Sequence, residues 1–298
     1  MDNQNLKVFL KKSNLRMLLL GFSSGLPILL VFSTLSVWLF KAGVSRSTVT
    51  LFSWAGFAYA FKYLWSPIVD NFSLPVFQKL GHRRGWLMFA QIMIILSLIA
   101  TSLTDPSQNL ILTALTITFL AIFSSTQDIV IDAFRIESAP QSQQGPLASM
   151  YIAGYRIAML VGGAGSLWLA SFFSTEIYNN KIWQFVYLVM ALLMTVGIIT
   201  TIFSKEPQIK RNNFLKINTH TKFLLSFVLG LMGFIFLYNF IQNPYGSSEV
   251  INKFFFATLR IFLSFAFAGL IIATLIFVKF ISKKDTKKIY IKPISNFM

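Results

Sequence analysis

The sequence predicts an all-α, polytopic membrane protein. Two observations carry this. The 298 residues are 55% hydrophobic and only 12% charged, with a mean hydropathy of +0.66, whereas a soluble domain is about 25% charged. The apolar residues also gather into eight runs, 17–39, 48–69, 86–103, 110–131, 147–172, 183–203, 223–241 and 255–278. Each lies near the ~20 residues that a bilayer requires.

Taken in order, the first run is too long for a signal-peptide core and has no small-residue cleavage site, so it reads as a helix. The second carries Lys62, seven residues before Val69. That puts it about 10 Å from one membrane face, where snorkelling and a pore-lining role both fit a lysine. The third follows the loop Gly81-His-Arg-Arg-Gly. The fourth ends in Gln127-Asp-Ile-Val-Ile-Asp-Ala-Phe-Arg135. At 100° per residue, Asp128, Asp132 and Arg135 fall within about 60° of one another. Ionisable groups within a span are costly unless they face a bundle interior or a wet cavity, so two acids on one face read as an ion or proton relay. A structural Asp–Arg pair is the alternative.

The fifth run has small residues at Gly154, Ala158, Gly162 and Gly165, a spacing that permits close helix contact. Arg156 projects about 200° from Gly154, and Asp128 or Asp132 is its expected partner. The sixth run closes a compact set. A basic stretch follows, then two more runs, then a lysine-rich tail from Ser282. Arg260, five residues into the last run, is expected to snorkel outward. The expected organisation is a six-helix major facilitator-like bundle over 1–204, a basic cytoplasmic linker over 205–222, and two further helices with a basic tail over 223–298.

Charge sets the topology. With the amino terminus in the cytoplasm, the inside segments hold most of the 26 lysines and arginines. The outer loops hold only Lys41, Arg46, Lys181 and Lys253. This is the positive-inside pattern, with both termini cytoplasmic. The net charge of +16 is then a matter of topology and attraction to anionic lipid, not of nucleic-acid binding, and no basic–aromatic motif accompanies it. Cysteine is absent, which excludes disulfides and thiolate metal sites. His82 and His220 are far apart. No H-E-x-x-H, G-x-S-x-G or phosphate-binding glycine loop occurs, so the chain does not read as an enzyme or a metal protein.

Several segments together resemble a known family. They are Gly21-Phe-Ser-Ser-Gly-Leu-Pro27, Ala55 through Asp70, Gly81-His-Arg-Arg-Gly-Trp86, Ser125-Thr-Gln-Asp-Ile-Val-Ile-Asp-Ala-Phe-Arg135, and Met150 through Gly165. In this order they resemble the muropeptide permeases of the AmpG type, within the major facilitator superfamily, over residues 15 to about 205. The resemblance implies a bacterial inner-membrane importer of anhydromuropeptides for cell-wall recycling. It uses the proton motive force and no cofactor. Asp128 and Asp132 match the acidic positions of the fourth-helix motif, with Gln127, Lys62 and Arg156 as further candidates for proton coupling and transport. Asp70 with Arg83 and Arg84 resembles a cytoplasmic gating motif, though its spacer is longer than the usual form. A family member of at least twelve spans needs about 240 residues for the spans alone. Six are recognisable here and two follow, so the chain is expected to be an amino-terminal half plus two helices. Its expected partners are membrane lipid, a muropeptide-like solute, and a second half-transporter or another copy of itself. The competing expectation is a non-transporting, half-length paralogue acting as a membrane subunit or scaffold.

Overall fold

The computed structural model describes residues 9–174, 178–208, 217–241, 250–278 and 280. Among these the backbone is helical and contains no strand. Six helical stretches are long and apolar enough to cross a membrane: Lys12–Lys41, His82–Ser102, Leu110–Ser138, Gln141–Phe172, Asn180–Ile202 and Leu259–Phe277. A further helix of 24 residues, Ile217–Phe240, precedes the last of these. Part of the expected basic linker, 209–216, and the lysine-rich tail, 281–298, lie outside the described residues.

The chain divides into two compact units: residues 1–69 with 73–210, and residues 70–72 with 211–298. In the first unit, the first and fifth spans lie backbone to backbone. A Cβ at Gly21 would collide with the Tyr151 carbonyl, and one at Gly154 with that of Leu18. Larger residues at either position would push the helices apart. Farther along the fifth span, one wide π-turn over Val161–Gly165 interrupts the α-helix. The Gly162 carbonyl in this turn accepts hydrogen bonds from Thr34 Oγ1 at 2.9 Å and Ser166 Oγ at 2.6 Å.

One end of this bundle is an aromatic core. Trp38 is fully buried and stacks on Trp183 with ring centroids 5.9 Å apart. Its Nε1 donates to Tyr178 Oη at 3.1 Å, and Tyr187 Oη donates to the Leu30 carbonyl at 2.9 Å. Trp38 is thus a core residue, where position near a span end alone gives an interfacial anchor. A polar ring tip with its partner supplied inside the bundle is the physical difference.

The second span departs most from expectation. In place of one helix over 48–69, the structure has short α-helices Arg46–Leu51, Gly56–Ala60 and Ser66–Asn71 joined by 3₁₀ turns. The helical path is interrupted at Phe61, with φ −100° and ψ 9°. Proline accounts for the 3₁₀ turn Lys62–Leu64 that follows. Pro67 has no N–H to donate, and its ring opposes the carbonyl four residues back, which belongs to Tyr63. The indole of Trp65 reties the segment, donating to Thr126 Oγ1 on the fourth span at 3.1 Å.

In the second unit, Ile217–Phe240 packs on Val250–Phe277. Phe234 meets Phe265 with ring centroids 4.7 Å apart. Arg260 lies over the Tyr238 ring at 4.0 Å and donates to the Tyr238 carbonyl. It therefore pairs inward with the neighbouring helix and does not snorkel outward. Cation–π contact and a carbonyl acceptor together replace part of its lost hydration.

Candidate functional site

The fourth span, Leu110–Ser138, begins on an Asn109 side chain that accepts the Leu112 N–H. It runs 29 residues and brings Asp128 into the middle of the first unit, 6% exposed. Three other spans meet the carboxylate. Ser24 of the first span donates a short hydrogen bond to Asp128 Oδ1. Ser24 Oγ is in turn 2.9 Å from Tyr151 Oη of the fifth span. From the second span, Lys62 Nζ stands 3.8 Å from Asp128 Oδ2. Tyr59 and Tyr155 also lie within electrostatic reach of the carboxylate.

The balance of forces makes this pair switchable. Two unit charges at 4 Å attract by about 4 kcal/mol at an effective dielectric constant of ~20. Burying each ion costs several kcal/mol. The two terms are of similar size, so a single proton on Asp128 can decide whether Lys62 stays. Lys62 is more exposed than its partner, with side-chain exposures of 18% against 9%. It forms an ion pair across the bundle, where snorkelling was an open alternative.

Buried polar atoms without partners lie on the third and fourth spans. Both amide atoms of Gln127 and Gln91 Nε2 are buried and have no hydrogen-bond partner among the described residues, while the buried hydroxyls of Tyr59 and Ser124 interact with each other. Unpartnered groups are rare in folded proteins and concentrate where function or bound water accounts for them. Gln127 belongs to the expected set. Ser24, Tyr59, Ser124 and Tyr151 do not. Their only sequence signal is helical spacing: Ser124 lies four residues before Asp128, and Tyr151 four before Tyr155.

Asp132 and Arg156 lie elsewhere. The Asp132 side chain is 48% exposed and pairs with Arg135 at 3.8 Å, one turn along its own helix. The expected pairing of Arg156 with Asp128 or Asp132 is not what the structure has. Arg156 is exposed, and its Nη1 is 3.9 Å from Met159 Sδ. The reason is geometric. Gly154 faces the first span, which carries Ser24, so a residue about 200° around the same helix faces away from it. The oxygens of Asp128 are meanwhile engaged by Ser24 and Lys62.

A second constellation surrounds Arg83 and Arg84. Both open the third span, His82–Ser102, whose start has no side-chain cap of its own. Glu206, just past the sixth span, supplies one: its Oε1 accepts the Arg83 N–H at 2.8 Å and its Oε2 the Arg84 N–H at 3.0 Å. Gly81 stands at φ +97°, and any Cβ there would collide with the Glu206 side chain. The arginine side chains diverge. Arg83 is forked onto Glu137, with Nε donating to Oε2 at 2.9 Å. Arg84 donates to the Thr201 and Ile202 carbonyls at 3.1 and 2.8 Å. Asp70, the third member of the expected gating motif, groups with the second unit. Glu137 and Glu206 escaped the sequence reading because each lies past the end of an apolar run, where a carboxylate does not stand out.

Membrane-length helices gathered around a buried charge pair define a multi-pass membrane protein with the architecture of a solute transporter. The chain belongs to the Major Facilitator Superfamily, whose profile matches residues 17–294. This is a superfamily of transporters, not of enzymes. Its similarity within the superfamily is to AmpG-type proteins. It is 37% identical to the anhydromuropeptide permease of Escherichia coli K12 over 207 residues, covering 70% of this chain and 40% of that protein. It is also 37% identical to a Rickettsia felis protein named as transporter AmpG 4, over 69% of this chain and 48% of that protein. With the Rickettsia typhi protein named as transporter AmpG 3 it shares 34% identity over 238 residues. The chain thus spans about half the length of the curated relatives it matches.

Proposed function

We propose that this protein serves a proton-coupled transporter of the muropeptide-permease type in a bacterial inner membrane, importing anhydromuropeptides with both termini in the cytoplasm. The observation that carries this reading is the Lys62–Asp128 pair, buried where four spans meet and held by Ser24. A carboxylate in that position takes up a proton at the cost of an ion pair, which links protonation to the relative position of the second and fourth spans. That is the link proton coupling needs, since a proton moves an equilibrium only by as much as it favours one state over the other. Asp132, half-exposed one turn away, fits a feeder to this site. Arg83 and Arg84 fit a gate that fastens the ends of the third, fourth and sixth spans. Arg156, charged and exposed in the fifth span, fits contact with a second membrane unit.

The test is uptake of labelled anhydromuropeptide by a permease-deficient host expressing the chain. Acid-driven uptake that Asp128→Asn abolishes supports the reading. Uptake unchanged by Asp128→Asn removes Asp128 from the mechanism. A folded, membrane-inserted protein without uptake favours a scaffold or subunit role.

A further inference from the structure

We propose that Lys62 is the anchor for a carboxylate of the transported solute, and that it becomes available only when Asp128 takes a proton. This deepens, and rests on, the reading of Asp128 as the coupling group.

The geometry gives Asp128 two unequal partners. Ser24 donates a hydrogen bond to Asp128 and its hydroxyl lies 2.9 Å from Tyr151 Oη. Lys62 is 3.8 Å away, beyond hydrogen-bonding distance. A hydroxyl serves either protonation state of a carboxyl group, as donor to the anion or acceptor from the acid. Ser24 therefore keeps its place when Asp128 is protonated. An ammonium has only donors and loses its counter-ion at that moment. The proton comes from water. A hydronium ion delivers it to the Asp128 carboxylate, giving a carboxylic acid and water, and the net charge of the pair rises by one.

Among the groups that act on Asp128, no other acid is open to Lys62. The groups in electrostatic reach of Asp128 are Tyr59 beside Lys62 on the second span, Asp132 on its own helix, and Tyr151 and Tyr155 on the fifth span. Of these only Asp132 is a carboxylic acid, and it already pairs with Arg135 at 3.8 Å. A lone ammonium among apolar helices is strongly disfavoured. The segment bearing it is irregular and partly open to its surroundings. Lys62 follows the irregular Phe61, opens the 3₁₀ turn Lys62–Leu64, and is partly exposed beside a largely exposed Tyr63. The matching ligand is an anionic group on the solute, and a carboxylate restores the charge balance of the resting pair one for one. Proton and solute anion thus enter together, each needed to make the other's binding favourable.

Two ligands and three proteins test this. The ligands are labelled anhydromuropeptide and the same molecule with its carboxylates converted to amides. The proteins are the unmodified chain, Asp128→Asn, and the double variant Asp128→Asn with Lys62→Gln, which leaves no stranded charge. Equilibrium binding to purified protein is the readout. The unmodified chain should bind the acid form more tightly on acidification. Asp128→Asn, with Lys62 permanently free, should bind the acid form tightly at every pH. The double variant should lose about tenfold to a hundredfold in affinity for the acid form, as expected for a hydrogen bond to a charged group, and nothing for the amide form. Equal affinity of Asp128→Asn and the double variant for the acid form overturns the role of Lys62 while leaving Asp128 as the proton site. Binding by Asp128→Asn that still strengthens on acidification overturns the reading of Asp128 itself.

Discussion

At the scale of single residues, the hydroxyl chain Tyr151–Ser24–Asp128 makes a prediction separate from the charge pair. Ser24 donates to Asp128 and lies 2.9 Å from Tyr151 Oη. Ser24→Ala removes a hydrogen bond to an ionised group, worth about 1.5–3 kcal/mol, while Tyr151→Phe removes a neutral one, worth about 1 kcal/mol. We expect proton-driven uptake to fall roughly tenfold or more in Ser24→Ala and about fivefold in Tyr151→Phe. Solute exchange without a proton gradient should change far less in both. Equal losses in the two assays would show packing damage and not a part in proton movement. Asp128 and Lys62 were legible in the sequence because an ionisable group in an apolar run is costly and stands out. Ser24, Tyr59 and Tyr151 were not, because serine and tyrosine are ordinary residues in spans and only the helix neighbours give them meaning. Arg156 was misassigned for the same reason. A helical wheel gives a residue's direction on its own helix but not which helix it meets.

At the scale of elements, the start of the third span depends on a cap borrowed from a distant part of the chain. Glu206 accepts two N–H groups there, and Gly81 leaves room for it. Losing an amino-terminal cap costs about 0.5–2 kcal/mol. We expect Glu206→Ala to lower the melting temperature of the detergent-solubilised protein, with Glu206→Gln milder because its amide keeps one acceptor oxygen. Gly81→Ala should be at least as damaging, since it meets both a positive φ and a collision. If Gly81→Ala is as stable as the parent, the cap is not formed as described. Across the first and fifth spans, Gly154→Val should prevent accumulation of folded protein, because two helix backbones must separate to admit the side chain. Fluorescence-detected size exclusion reads this directly. Most span boundaries were legible to within a few residues: the third was expected over 86–103 and is His82–Ser102. The second was not. Its length and overall apolar character fit a single span, and hydropathy is blind to the backbone conflict that Pro67 creates one turn upstream.

At the scale of the whole molecule, the superfamily was legible because several short motifs occur in one order, which no single motif would establish. The surroundings of the bundle were less so. Arg156 lies 12 residues beyond the start of the helix Gln144–Leu160, about 18 Å along its axis, which is deep in the bilayer. It is exposed, and its neighbours Ile152, Ile157 and Leu160 are exposed to 55%, 48% and 68%. An arginine facing hydrocarbon at that depth costs ~2.5–3.5 kcal/mol by insertion scales. Its position also puts acidic partners within the bundle out of reach, as Asp128 and Asp132 are already engaged. Contact with a second membrane unit relieves the cost, and a second copy of the chain is the simplest source. Because the native chain has no cysteine, single cysteines at Ile152 and Leu160 should form disulfide-linked dimers in native membranes, while cysteines at the exposed Phe119 of the fourth span should not. Replacing Arg156 by leucine should weaken the cross-link if a polar contact holds the face, and leave it unchanged if only apolar packing does. A solely monomeric product at both test positions, from protein that still takes up solute, would mean that the Arg156 face works without a second copy against it.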